Sequence, residues 1–575
     1  MSNLTKLKAA STRDDVAAVL GYKPNTLSYI LYAVPDATKY VTFNIPKKTG
    51  GVRTINAPNE KLSGLQKHLA NLLTTCESEI LRASNLPSLS HGFKKEHSIT
   101  TNAYSHTGRR FVLNLDLADF FNSFNFGRVR GFFIKNNDFL LNPNVATVLA
   151  QIATHENKLP QGSPSSPIIT NLITHILDIK LAQLAKKNRC MYSRYADDIT
   201  FSTNQKEFPS DIASFDINSK WQLSDFLIGK IMRAGFAINS SKTRMQTAPN
   251  KQVVTGLSVN RKVNIQADYY RATRSMCNEL YKTGTYYEPI LSNKHLATQN
   301  RIDNINIIEG RVNYIHSIKD EFDLRKEKEY KDNPTAAFIL YRNFLNFKNF
   351  IALDKPLIIC EGKTDNIYLK CALKRLPTFK TQLASTLAKY NKTQIKFFNY
   401  SKTTQDVMLL GGGSGDFVKL IQKYTAIIAK YKYCPMNSPV ILVIDNDDGA
   451  KGIFAIIKNL FQEQITLNST SDFYHITQNL YLVKTPETGQ NVKSCIEDLF
   501  ESNVTNKLIN GKPFNPDKEH GDESSYGKHY FSEKIILKEY EQINFMKFEK
   551  LLIRIENAIK HHYQKLSSNQ TLITP

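Results

Sequence analysis

The chain has 575 residues, 41% of them hydrophobic and 22% charged, and its 75 Lys+Arg against 52 Asp+Glu give a formal net charge of +23. That length exceeds what one core supports, so two or three domains are expected, and the composition excludes disordered and collagen-like classes. Residues 1–300 hold 37 basic and 21 acidic side chains, against 38 and 31 in the rest, so the first half is where a polyanion would bind. Seven cysteines (Cys76, Cys190, Cys277, Cys360, Cys371, Cys434 and Cys495) form no CxxC pair, which argues against a zinc site or a disulfide framework. The opening stretch MSNLTKLKAASTRDDVAAVL is charged throughout, unlike a signal peptide, and no run approaches 18 apolar residues. A cytoplasmic protein with no membrane contact is the expectation.

Residues 1–40 read as short helices, with a capped start at Ser11-Thr12-Arg13-Asp14-Asp15 ahead of Val16–Leu20. Lys47-Lys48-Thr49-Gly50-Gly51, between two β-type runs at 43–55, reads as a hairpin with a basic tip. Helical spacing follows at 61–82, a buried-type strand at Phe111–Leu117, helices at 145–156 and 167–187, and a tight hairpin at Met191–Ser202. A helix at 222–234 and a strand at 253–259 complete an order that suits a split β-α-β palm. Residues 265–345 are mostly helical, and the charge run Lys319–Asp332 reads as a solvated face or linker. Beyond Pro356 the pattern alternates: strand 357–360, helix 364–374, strand 439–444 and helix 451–461 predict a parallel α/β domain.

Three acids stand out in the first half. Asp116 closes an apolar strand, and Asp197-Asp198 sit at the turn of an apolar hairpin. Adjacent carboxylates in such a setting repel unless a cation neutralises them. Nucleotide polymerisation needs two divalent cations about 3.5–4 Å apart, held by hard oxygen ligands.

The words around these acids resemble a family. Tyr195-Ala196-Asp197-Asp198 is similar to the YxDD box of reverse transcriptases, and Leu115-Asp116-Leu117-Ala118-Asp119-Phe120-Phe121 to their first catalytic motif. Pro160-Gln161-Gly162-Ser163-Pro164 resembles their PQG loop, and Gly235-Phe236-Ala237-Ile238-Asn239-Ser240-Ser241-Lys242 their GF…N..K motif. The resemblance implies a right-hand polymerase with fingers, ferredoxin-like palm and helical thumb. Its metal set would be Asp116, with Leu117 beside it, Asp197 and the supporting Asp198, around two Mg²⁺. Phe121 falls at the steric-gate position that selects dNTPs, Gln161 and Gly162 line the nucleotide pocket, Lys242 serves the pyrophosphate, and Arg53 with Lys47 and Lys48 holds the triphosphate.

Asn102-Ala103-Tyr104-Ser105-His106 and Val254-Thr255-Gly256 resemble the NAxxH and VTG signatures of bacterial retron reverse transcriptases. The resemblance implies RNA recognition by Asn102, His106, Val254, Thr255 and Gly256. It also implies a cognate noncoding RNA primed from an internal 2′-hydroxyl, a branched RNA–DNA product (msDNA), a host RNase H, and residence in the bacterial cytoplasm. A group II intron maturase is the competing assignment.

The second half repeats the placement of acids at strand ends. Glu361-Gly362 follows strand 357–360 and Asp445-Asn446-Asp447 follows strand 439–444, where open α/β sheets gather functional groups. With the glycine-rich Gly411-Gly412-Gly413-Ser414-Gly415-Asp416, this resembles the Rossmann-like Toprim domain of topoisomerases, primases and OLD-family nucleases. It implies one or two Mg²⁺ on Glu361, Asp445 and Asp447, with Asp365, Glu497 and Lys528 as further candidates, and favours a nuclease acting on phage or host nucleic acid in antiviral defence. The alternatives are an idle, nucleic-acid-binding Toprim domain, or a mobile-element enzyme with a processing nuclease. The expected segments are 1–40, an N-terminal helical piece; 41–260, fingers and palm; 261–350, thumb and linker; and 351–575, Toprim with a helical extension, with assembly into a homo-oligomer on msDNA a further expectation.

Overall fold

Strand Phe111–Ala118 is the spine of the first of two units into which the chain divides, Met1–Ala267 and Asp268–Pro575. The computed structural model describes all residues except 1, 48–49, 85–87, 217–219, 289–300, 324, 326–331, 378–394, 488–491 and 572–575. Lys48 and most of the charge run after Lys319 therefore lie outside the described residues.

The spine pairs antiparallel on both edges, with Asp198–Thr203 on one side and with Arg244–Thr247 and Ala237–Ile238 on the other; Met191–Tyr195 closes the outer edge. Paired on both sides and covered by helices, it is apolar at nearly every position, as a central strand must be. Helix Ser166–Lys187 packs behind Met191–Tyr195. This helix is long and, in the mean, apolar enough to cross a bilayer, although Asn171, His175, Asp178 and Lys180 break its apolar run. Its mean hydropathy reaches 1.2, yet 67% of that window is buried in the unit, which is how a core helix reads. The first helices join the same core through Leu7, Val16, Ala17 and Leu20. Thr12 and Asp15 close a capping box at the start of Arg13–Leu20. Strands Tyr40–Pro46 and Val52–Pro58 form the expected hairpin, followed by helix Glu60–Ser84.

One expected element changes shape. The run 253–259 is not one strand but a hairpin of Val253–Val254 with Leu257–Ser258. Thr255 (φ 46°) and Gly256 (φ 83°) both take left-handed backbone, which makes a two-residue turn of the kind that matches strand twist.

In the second unit a five-stranded sheet runs Lys396–Phe397, Leu357–Cys360, Val440–Ile444, Leu480–Lys484, Tyr474–Thr477, parallel except at the last pair. Leu357–Cys360 and Val440–Ile444 are buried at every residue, the mark of strands covered on both faces. Helices Ala267–Thr283, Ile305–Glu321 and Ala336–Asn346 precede the sheet and, past Ala267, group with it. The Tyr281 ring lies 5.1 Å from Phe347 and 5.0 Å from Tyr431, and its carbonyl accepts from the amides of Lys432 and Tyr433. Gly284 (φ +77°) sits under the Tyr433 ring, leaving no room for a Cβ.

Candidate active sites

The register of the first sheet sets Asp116 directly opposite Asp198, and the Leu117 amide donates to the Asp197 carbonyl. Three carboxylates thus collect where the spine meets the 191–203 turn. Asp116 is buried, and its Oδ1 receives the Lys242 ammonium at 2.7 Å while its Oδ2 receives Asn239 Nδ2 at 3.2 Å. The carboxylate in turn raises the Lys242 pKa, chiefly through that hydrogen bond. Burial raises Asp197, and the Asp116 charge adds to it against Lys242 and Arg53. Asp198 keeps a solvent-exposed edge, yet burial and the Asp197 and Asp116 charges push it up to about 6. Excess negative charge on hard oxygens is what Mg²⁺ relieves.

Among the described residues no three His, Cys, Asp or Glu side chains close around one point. The cation beside Asp116 is the Lys242 side chain, and the carboxylate oxygens around it are hard donors of the kind Mg²⁺ takes. Asp116, Leu117, Asp197 and Asp198 would hold it. Asn239 was not singled out from sequence, although it lies inside the motif that yielded Lys242.

The nucleotide-pocket candidates adjoin one another. The Asn56 amide, on the second strand of the 40–58 hairpin, donates to the Gln161 carbonyl at 2.8 Å. Gly162 (φ +116°) faces the same strand so closely that a Cβ would lie 2.9 Å from the Asn56 carbonyl oxygen and 2.9 Å from Ile55 Cγ2. Arg53 pairs with Ile45 near the hairpin tip and its charge acts on Asp197. Phe121 begins a short 3₁₀ turn after Asp119 (φ 45°) and meets the Phe93 and Phe120 rings edge-on.

The structure places most of the candidates for RNA recognition inside the protein. Asn102, His106 and Val254 are buried and face the protein. His106 Nδ1 and Nε2 each lie 2.7 Å from a serine hydroxyl, Ser202 and Ser193, and Ser193 donates onward to Asn102 Oδ1 at 2.6 Å. That chain makes Nε2 the protonated nitrogen. Burial drives the His106 pKa down to about 3. Thr255 Oγ1 donates to the Ile99 carbonyl, tying the small hairpin to helix Ile99–Tyr104. Only Gly256 of the five is exposed. These residues brace the back of the sheet.

In the second unit Glu361 and Asp445 sit at the carboxyl ends of adjacent strands, and the Asp445 amide donates to Glu361 Oε2 at 3.3 Å. Asn446, fully buried and bonded to the Leu467 and Val492 carbonyls, anchors the loop between Asp445 and Asp447. Asp447 Oδ1 caps the next turn by accepting from Gly449. Burial raises Glu361, with the Asp447 and Asp365 charges adding. Burial raises Asp445 well above its ordinary value, reinforced by Asp365 and Glu497. Asp365 and Glu497 are themselves buried and raised for the same reason. A Cβ on Gly362 would fall 2.5 Å from Asp365 Oδ1, so glycine there makes room for that carboxylate. Lys528 donates to Glu497 Oε2 at 3.1 Å; burial opposes its charge, but Glu497, Asp445 and Asp365 hold its pKa above the usual value. Glu361, Asp365, Asp445 and Glu497 thus act on one another's charge and Lys528 bonds to Glu497, although among the described residues no three of these acids close around one point. The oxygen-rich donors suit Mg²⁺.

Residues 45–268 match the family model described as "Reverse transcriptase (RNA-dependent DNA polymerase)". Retron Mx65 reverse transcriptase of Myxococcus xanthus is 34% identical over 290 residues, covering 47% of this chain and 62% of the relative. Retron Mx162 reverse transcriptase of the same organism is 32% identical over 280 residues, 45% of this chain and 55% of the relative. Retron Ec86 reverse transcriptase of Escherichia coli is 32% identical over 271 residues, 46% of this chain and 77% of the relative. The chain thus spans well under two thirds of the Mx162 relative and slightly under that share of Mx65. A solved apo telomerase from Candida Tropicalis covers 54% of this chain at a TM-score of 0.29, a likeness too slight to build on. By its matched motifs and the identity to the Escherichia coli relative over most of that protein's length, the chain belongs to the retron reverse transcriptase family.

Proposed function

We propose that this chain synthesises DNA on an RNA template, extending a 2′-hydroxyl primer within its own noncoding RNA to give branched RNA–DNA. The observation that carries this reading is the register that sets Asp116 against Asp198, with Asp197 beside them and Lys242 bridging in. Bound Mg²⁺ would activate the primer hydroxyl and neutralise the departing pyrophosphate. In this reading Lys242 releases Asp116 and follows the phosphate charge, and Arg53 receives the triphosphate by charge-assisted bonds. Phe121 limits what fits at the sugar, and Gly162 lets backbone approach the base pair. Host RNase H would remove copied RNA, in the bacterial cytoplasm. The test is extension of a labelled primer on RNA by purified protein with dNTPs and Mg²⁺. Asp197→Asn, which removes one ligand charge, should reduce extension by about a hundredfold or more; extension near the wild-type rate would refute the assignment.

We propose a second, Toprim-like Mg²⁺-dependent nuclease site in the C-terminal unit, acting on phage or host nucleic acid in defence and restrained by msDNA, as a homo-oligomer with it. Its support is that Asp365 and Glu497, both buried, and the part-buried Asp445 act on the charge of Lys528, with Glu361 acting on Asp445 at the next strand end. Plaque counts set beside extracted branched DNA test the defence role: full protection by Glu361→Ala would remove the nuclease from it.

A further inference from the structure

The polymerase reading names the acids but leaves open what fixes the turn that carries Asp197. Behind that turn lies an ion pair fully withdrawn from water: the Arg194 and Asp178 side chains are 0% and 1% exposed. Arg194 Nε and Nη2 each donate at 2.7 Å to the two oxygens of Asp178, a planar fork on a planar carboxylate. The remaining arm, Nη1, donates at 2.9 Å to the Ala196 carbonyl, and thus to the peptide from which Asp197 hangs.

That peptide needs holding. Ala196 is left-handed (φ 54°), a conformation its Cβ disfavours. From the other side segment 89–92 presses in: a Cβ on Gly92 would lie 2.5 Å from the Ala196 nitrogen. The segment runs beside Arg194, whose amide donates to the Leu89 carbonyl and whose carbonyl accepts from the His91 amide. Asn171 fastens it to the long helix, donating to the Gly92 carbonyl at 2.8 Å and accepting from Ser90 Oγ at 3.0 Å. Tyr192 adds a 2.6 Å bond to Asp178. A buried ion pair is a poor source of stability compared with apolar side chains of the same volume. What apolar side chains would not supply is the directed bond to the Ala196 carbonyl.

We propose that Arg194, oriented by Asp178, is a positioning residue that sets the Asp197 carboxylate for metal binding through the Ala196–Asp197 peptide. The proposal rests on the polymerase reading above for its consequence in catalysis. It does not make Arg194 a catalytic residue, since its guanidinium reaches no reacting atom.

The experiment uses the full-length chain and two changes. Arg194→Lys keeps a charge facing Asp178 but gives up the fork and the third arm. The pair Arg194→Met with Asp178→Leu removes both charges at similar volume. Folding is followed by denaturant titration, primer extension gives kcat and the KM for primed template, and Mn²⁺ binding without substrate is followed by electron paramagnetic resonance. At least one variant should unfold near wild type, keep its KM within about twofold, and lose kcat and Mn²⁺ affinity by about 10- to 100-fold, the range seen when partners of metal ligands are removed. A folded variant whose kcat and Mn²⁺ affinity stay within about twofold of wild type overturns the proposal. So does failure of both variants to fold, which would make the pair a folding element alone. If the wild-type protein extends no primer, the polymerase reading fails, and the Mn²⁺ measurement still decides the role of Arg194.

Discussion

Replacing Gly162 by alanine tests how tightly the nucleotide pocket is built. At φ +116° a side chain lies outside the regions L residues tolerate, a strain of about 1–3 kcal/mol. The new methyl would also stand 2.9 Å from the Asn56 carbonyl oxygen, which is backbone and cannot rotate away. Relief requires the strand to retreat, which stretches the 2.8 Å bond from the Asn56 amide to the Gln161 carbonyl, a further ~1 kcal/mol. Gly162→Ala should therefore destabilise the first unit by about 2–4 kcal/mol. The chain has a single tryptophan, and Trp221 lies in that unit against Phe111 and Phe208. Its fluorescence in a urea titration reports this unit's transition separately from the rest of the chain. Under conditions where the variant stays folded, the KM for dNTP should rise, because the loop must shift within the pocket. A transition within about 0.5 kcal/mol of wild type, with an unchanged KM, would refute the close-approach reasoning.

Phe121→Ala should admit ribonucleotides: the ratio of kcat/KM for dGTP over GTP is expected to fall about tenfold or more, and an unchanged ratio would remove the gate from Phe121. Glu361→Ala should leave primer extension unaltered while abolishing any Mg²⁺-dependent nuclease activity of the purified protein; a parallel loss of extension would show that the two acid clusters are not independent. His106, held near pKa 3 when folded against about 6.5 unfolded, takes up its proton preferentially in the unfolded chain. Its contribution is complete above pH 6.5 and is lost as pH falls toward 3, amounting to about 2 kcal/mol between pH 7 and 5. His106→Asn should flatten that part of the pH dependence in the Trp221 titration, and equal slopes for both proteins would count against a buried neutral imidazole.

Asp116, Asp197, Glu361 and Asp445 stood out in the sequence because each lies at or near the end of an apolar run, a local pattern that needs no knowledge of distant residues. The alternation after Pro356 predicted the parallel sheet for the same reason, since strands covered on both faces read as unbroken apolar stretches. The role of Asn102 and His106 was not legible. Their short motif resembles a recognition signature, yet their partners Ser193 and Ser202 lie some ninety residues on and become neighbours only when the sheet forms. Asp178 gave a signal that went unused: a carboxylate flanked by the apolar Ile173, Leu177 and Leu181 on the buried face of a helix demands a cation, and Arg194 supplies it. The turn at Thr255-Gly256 was missed because a β-branched residue seldom adopts positive φ, and here the bond from its hydroxyl to Ile99 holds it there.

The place of Tyr281 bears on how such a chain can be cut and recombined. Composition suggests a seam near residue 350, where the helical stretch gives way to the alternating one. A fragment ending there would strip Tyr281 and Phe347 of the Tyr431 ring and leave the Tyr281 carbonyl without its two amide donors. A cut beside Ala267, where the chain divides into its two units, leaves these contacts whole. A chimaera that grafts a foreign domain should carry Ala267–Thr283 and the two helices after it along with the sheet, as one inherited piece.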